Sequence, residues 1–129
     1  MTEKNKKINI QLFNWGPCVI RLKITNDFKN LFINEAKKNK IDFTEKLAGI
    51  LENETGYSEE SKKLILPQLS QCLGVYNQAY ERHVNKPFDK QPEYILASMW
   101  INYQKQNEFN PPHDHDGKLS FVTYLSIPE

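Results

Sequence analysis

The chain has 129 residues, 39% hydrophobic and 26% charged, with a formal net charge of +1. That is enough for one soluble domain with a modest core, and it excludes a disordered chain. Near-neutral charge gives no broad nucleic-acid-binding surface, and no apolar run approaches the roughly 20 residues of a membrane span. Residues 1–7 are polar, with Lys4, Lys6 and Lys7, and lack the apolar stretch of a secretory signal. Ile8, Ile10 and Leu12 alternate with polar neighbours, which predicts a half-buried strand. Asn14-Trp15-Gly16-Pro17 reads as a turn, and Ile20, Leu22 and Ile24 predict a second strand.

Asn26 or Asp27 can cap the helix predicted over 27–39. Phe28, Leu31, Phe32 and Ala36 fall on one face, and Lys37, Lys38 and Lys40 suit the negative end of the helix dipole. Leu47-Ala48-Gly49-Ile50 is a short apolar patch. Ser58, with Glu59 and Glu60 behind it, starts a long helix. Its stripe runs through Leu64, Ile65, Leu69, Cys72, Leu73, Tyr76, Ala79, Tyr80 and Val84 to a stop near Asn85-Lys86-Pro87. Pro67 kinks this helix or resets its start. Strand formers follow over Tyr94–Gln104, then a polar loop, then the clearest alternation of the chain, Leu119–Ile127. Leu119, Phe121, Thr123, Leu125 and Ile127 share one face of that expected strand. The order predicts one α+β domain, its helices packed on a mainly antiparallel sheet.

Between the last two strands stands His113-Asp114-His115-Asp116, after Asn110-Pro111-Pro112. In extended backbone the side-chain period of two puts His113 and His115 on one face. Two such imidazoles can chelate a first-row transition metal. Asp114 and Asp116 then point away and can accept a ring N–H, or Asp116 turns in as a carboxylate ligand. The competing account is an ordinary histidine pair in a loop. His83, on the long helix, has only its position to recommend it. Cys18 and Cys72 form no CxxC spacing and read as reduced, buried thiols of a cytosolic protein.

Residues 100–128, from Trp100-Ile101-Asn102-Tyr103 through the histidines to Leu119-Ser120-Phe121-Val122-Thr123-Tyr124-Leu125, resemble the first metal-binding segment of the iron(II)/2-oxoglutarate-dependent oxygenases. The likeness is to small phage and marine-bacterial members akin to prolyl hydroxylases, and a weaker similarity includes Phe43 to Tyr57. The resemblance implies a partial double-stranded β-helix of the cupin or jelly-roll kind, and an enzyme that hydroxylates an unidentified substrate with Fe(II) and 2-oxoglutarate. It implies a cytoplasmic location, in the host cell if the gene is a phage gene. His113 falls on the family's first metal-binding His. His115 falls where the family usually has Asp, a departure that either makes the donors all nitrogen or shifts ligation to Asp114 or Asp116, and zinc, nickel or copper then compete better with iron. Tyr103 and Tyr124 fall on positions that often face the cosubstrate, where their phenols can donate to a carboxylate; plain aromatic core residues are the alternative.

The family's distal His and its Arg or Lys clamp lie on later strands. The expectation is therefore the N-terminal part of such a domain, apparently truncated. A naturally short, non-catalytic cupin-like metal-binding or structural module is the alternative, and completion by a partner chain is a third. An exposed C-terminal strand also predicts a homodimer or strand exchange.

Overall fold

A computed structural model describes residues 16–38, 41–42 and 54–127. The expected strand at Ile8–Leu12, the patch Leu47–Ile50 and the first half of the turn at Asn14–Pro17 lie outside the described residues. The elements are α1 (Asn26–Lys38), β1 (Ile41–Asp42), β2 (Glu54–Gly56), α2 (Glu59–Val84) and β3 (Trp100–Asn102). The chain is a mixed α+β structure with a small antiparallel sheet of order β1-β2-β3.

Helix α1 is capped one residue earlier than expected. Thr25 Oγ1 accepts from Phe28 N at 3.2 Å, which satisfies one of the free N–H groups of the first turn. Phe28, Phe32, Glu35 and Ala36 are buried, at the spacings of three, four and eight that mark one helix face. The Phe28 and Phe32 rings stack at 4.8 Å, and Phe32 meets Tyr57 edge-on at 6.3 Å. Tyr57 sends its hydroxyl back to α1, donating to Phe32 O at 2.9 Å.

Helix α2 begins where the sequence places it. The Ser58 side chain accepts from Ser61 N, and Glu59 and Glu60 occupy the first turn. Pro67 lies inside the helix and neither starts nor ends it. The expected stripe is narrower in fact: Ile65 and Leu69 are buried, whereas Leu64 and Val84 stand exposed. Asn85 ends the helix at φ 52°, a left-handed cap that Asn tolerates. Phe28, Phe32, Ala36, Tyr57, Ile65, Leu69 and Met99 form one core, flanked by Ile24, Leu31, Cys72, Leu96, Ile101 and Leu125.

After Pro87 the chain runs back along α2 as an extended strap. Glu81 Oε1 accepts from Phe88 N and Gln91 Nε2, and Phe88 stacks on Tyr80 at 5.5 Å. Tyr94 donates to Asn77 Oδ1 at 2.6 Å, and Lys62 Nζ donates to Ala97 O at 3.1 Å. From Lys62 to Glu81 the helix rises about 28 Å, and Phe88 to Ala97 spans roughly 30 Å when extended. The strap bends at Asp89 and Lys90, and the side chains of Glu81 and Lys62 reach out to its two ends. It delivers β3 to the sheet, where Tyr57 N donates to Met99 O at 3.0 Å.

This corrects three expected strands. Tyr94–Gln104 shortens to Trp100–Asn102, because the strap's partner is a helix and offers no backbone ladder. Ile20–Ile24 and Leu119–Ile127 are not strands either. Among the described residues no neighbouring strand pairs with them, and alternation without a partner makes an extended loop. The edge expected for homodimer or strand exchange is therefore not formed at Leu119–Ile127. Cys18 and Cys72 are free thiols but only half-buried, not buried as expected.

Candidate metal centre

The histidine segment hangs from β3, the last strand of the sheet. A tight polar turn follows Tyr103: Glu108 N donates to Lys105 O, and Lys105 N donates to Glu108 Oε2 at 2.7 Å. The Gln104 side-chain amide donates to the Glu108 carbonyl, and Asn107 takes φ 69° at the bend. Pro111 and Pro112 then hold the backbone angles of the approach. Gly117 closes the segment at φ 115°, a conformation a side chain disfavours.

Within this frame the imidazoles of His113 and His115 meet. Their Nε2 atoms are 3.0 Å apart, and their rings lie 4.6 Å apart at 70°. His113 Nδ1 stands 2.6 Å from Pro111 O. A carbonyl only accepts, so Nδ1 carries the proton of that bond. In the neutral ring Nε2 is then left with its lone pair toward His115. Two nitrogens bound side by side to one ion at about 2.0–2.1 Å are separated by about 2.9 Å in octahedral and about 3.4 Å in tetrahedral geometry. The observed spacing matches adjacent positions on a single ion. It also suits an N–H of His115 donating to His113, and the two arrangements exclude each other.

Trp100 supplies the link to the sheet, its ring 5.7 Å from that of His115 at 34°. Neither this contact nor the Pro111 carbonyl was evident as a support from residue types. The only hint was the strand character of Trp100 and the two-residue step from Pro111 to His113. The expected acceptors, Asp114 and Asp116, are exposed, and the hydrogen bond that orients His113 comes from the backbone instead. Among the described residues no third His, Cys, Asp or Glu joins the pair in a metal-holding group.

The other candidates lie elsewhere. Tyr103 follows β3 directly and is half-exposed; Tyr124 is 75% exposed. Among the described residues neither phenol is hydrogen-bonded to, or stacked on, the histidine pair. The Tyr57 hydroxyl is pushed well above the usual phenol range by burial, and then by the electrostatic influence of Tyr103 and Glu35. His83, in the last turn of α2, meets the Gly16 carbonyl at 3.0 Å and pins the chain before α1. No helix among the described residues is long and apolar enough to cross a membrane.

Comparison with known protein families, curated proteins and solved structures finds no match to this chain.

Proposed function

We propose that His113 and His115 are two ligands of a first-row divalent metal in a domain of the Fe(II)/2-oxoglutarate-dependent oxygenase kind, built on part of a double-stranded β-helix. The observation that carries this is the pair of Nε2 atoms 3.0 Å apart, one freed for coordination by the Pro111 carbonyl. The donors fit a divalent metal as two of its three protein ligands. They do not complete the two-His, one-carboxylate set of non-haem iron enzymes, so a third ligand and a cosubstrate clamp must come from outside the described residues. In this reading Tyr103 and Tyr124 orient 2-oxoglutarate, and the pair faces an unidentified hydroxylation substrate. A bound metal of this class supplies activation of oxygen beside a positioned substrate.

A second reading is a non-catalytic metal-binding module. It is favoured by the donor count, two nitrogens with no third group beside them among the described residues. Two measurements separate these readings. Calorimetry with divalent metals, repeated on the His113→Ala/His115→Ala double variant, tests the site. Succinate release from 2-oxoglutarate under air with Fe(II) tests the chemistry. Binding and succinate, both lost in the double variant, support the oxygenase. Binding without succinate supports the module. No binding that depends on the histidines contradicts both.

A further inference from the structure

The donor set carries information about which ion it takes. Both donors are imidazole Nε2 atoms, and among the described residues no carboxylate joins them. Manganese(II) favours carboxylate, carbonyl and water oxygens, while imidazole suits iron, nickel, copper and zinc, which stand later in the affinity order of the row. Without anionic oxygen among the described residues, the seat offers manganese(II) little to replace its water. The seat is also supported from one side. His113 is held by the Pro111 carbonyl, and His115 rests near Trp100, whose strand is paired to β2 through Gly56. A ring held on the sheet loses less freedom on coordination than one on a free loop.

We infer that His113 and His115, with Trp100 as the positioning residue for His115, form a two-imidazole seat that selects copper(II), nickel(II) or zinc(II) over manganese(II). The inference rests on the metal reading above and is independent of its oxygenase part.

The test is calorimetry on the full chain at one fixed pH, using nickel(II), zinc(II) and manganese(II) chlorides separately. The expected result is one nickel(II) or zinc(II) per chain, with manganese(II) about a hundredfold weaker. His113→Ala or His115→Ala abolishes the binding. Melting in chelator stays at the wild-type value, since both side chains are exposed. His115→Asp adds a carboxylate and narrows the nickel-to-manganese ratio about tenfold. Trp100→Ala weakens nickel(II) about tenfold, whereas Trp100→Phe keeps an aromatic ring beside His115 and restores it. In a Trp15→Phe background, copper(II) quenches the emission of Trp100 in step with binding. Manganese(II) binding as tightly as nickel(II), or nickel(II) still binding the double-alanine variant, overturns the inference. An unchanged nickel(II) affinity in Trp100→Ala overturns the role of Trp100. Absence of succinate in the enzyme assay bears only on the oxygenase reading.

Discussion

The two helices and the C-terminal segment respond to the same kind of sequence signal in opposite ways. Residues Asn26–Lys38 and Glu59–Val84 carry apolar stripes and become helices, because a helix satisfies its own backbone and needs a neighbour only for its face. Leu119–Ile127 carries a cleaner alternation and stays irregular, with Phe121, Val122, Tyr124 and Ile127 exposed. A strand needs a second backbone to pair with, and none is beside it among the described residues. Stability therefore concentrates around Ile65 and Phe32, and the candidate chemistry sits on the loosely packed side, hung from β3.

The sharpest way to break this contrast is a pair of truncations. Ile65 is fully buried, so Ile65→Ala is expected to destabilise the chain by about 3–4 kcal/mol in urea unfolding. Phe121→Ala, at a side chain 46% exposed, is expected to change it by less than about 1 kcal/mol. Equal losses would mean that Phe121, and not Leu125 alone, packs into the core.

A smaller effect tests the polar seam between the helices. Glu35 is buried and accepts from Lys38 Nζ at 2.5 Å and from Ser61 Oγ at 2.8 Å. These hydrogen bonds, from Lys38 first and Ser61 second, hold its carboxyl below the ordinary value of 4.5. Folding thus binds fewer protons at this group than unfolding does. Its contribution is fully present above pH 4.5 and is lost as pH falls through the lowered folded value. Glu35→Ala should cost about 2 kcal/mol at neutral pH. Glu35→Gln should flatten the acid side of a stability-against-pH curve, and an unchanged acid limb would show that this seam does not govern it.

Smaller still is Tyr57→Phe, which removes the 2.9 Å bond to Phe32 O and is expected to cost about 1 kcal/mol. Smallest is His113→Ala/His115→Ala, expected within about 0.5 kcal/mol of wild type in chelator, since the pair is exposed. A large loss there would place the histidines in the structure's support and not in a site.

The start of α2 was legible because Ser58 and the acidic turn behind it act through local bonds. The α1 cap was missed by a residue: Thr25, Asn26 and Asp27 can all cap, and only the backbone entry angle chooses Thr25. The strap over Phe88–Ala97 was not legible, because its extended form is set by Glu81, Asn77 and Lys62, distant residues on α2. At the candidate site the two-residue spacing of His113 and His115 drew notice, but the support given by the Trp100 ring and the Pro111 carbonyl did not. Ring packing across 15 residues and a main-chain acceptor leave no mark in residue types.

The central claim is that His113 and His115 act together through Nε2. Side-chain nitrogen spectra of the imidazoles, recorded before and after one equivalent of zinc(II), test it most directly. The account predicts that both Nε2 resonances move together, that His113 keeps its proton on Nδ1, and that His83, held by Gly16, does not move. Zinc that shifts only one of the pair, or shifts His83 as much, would contradict it.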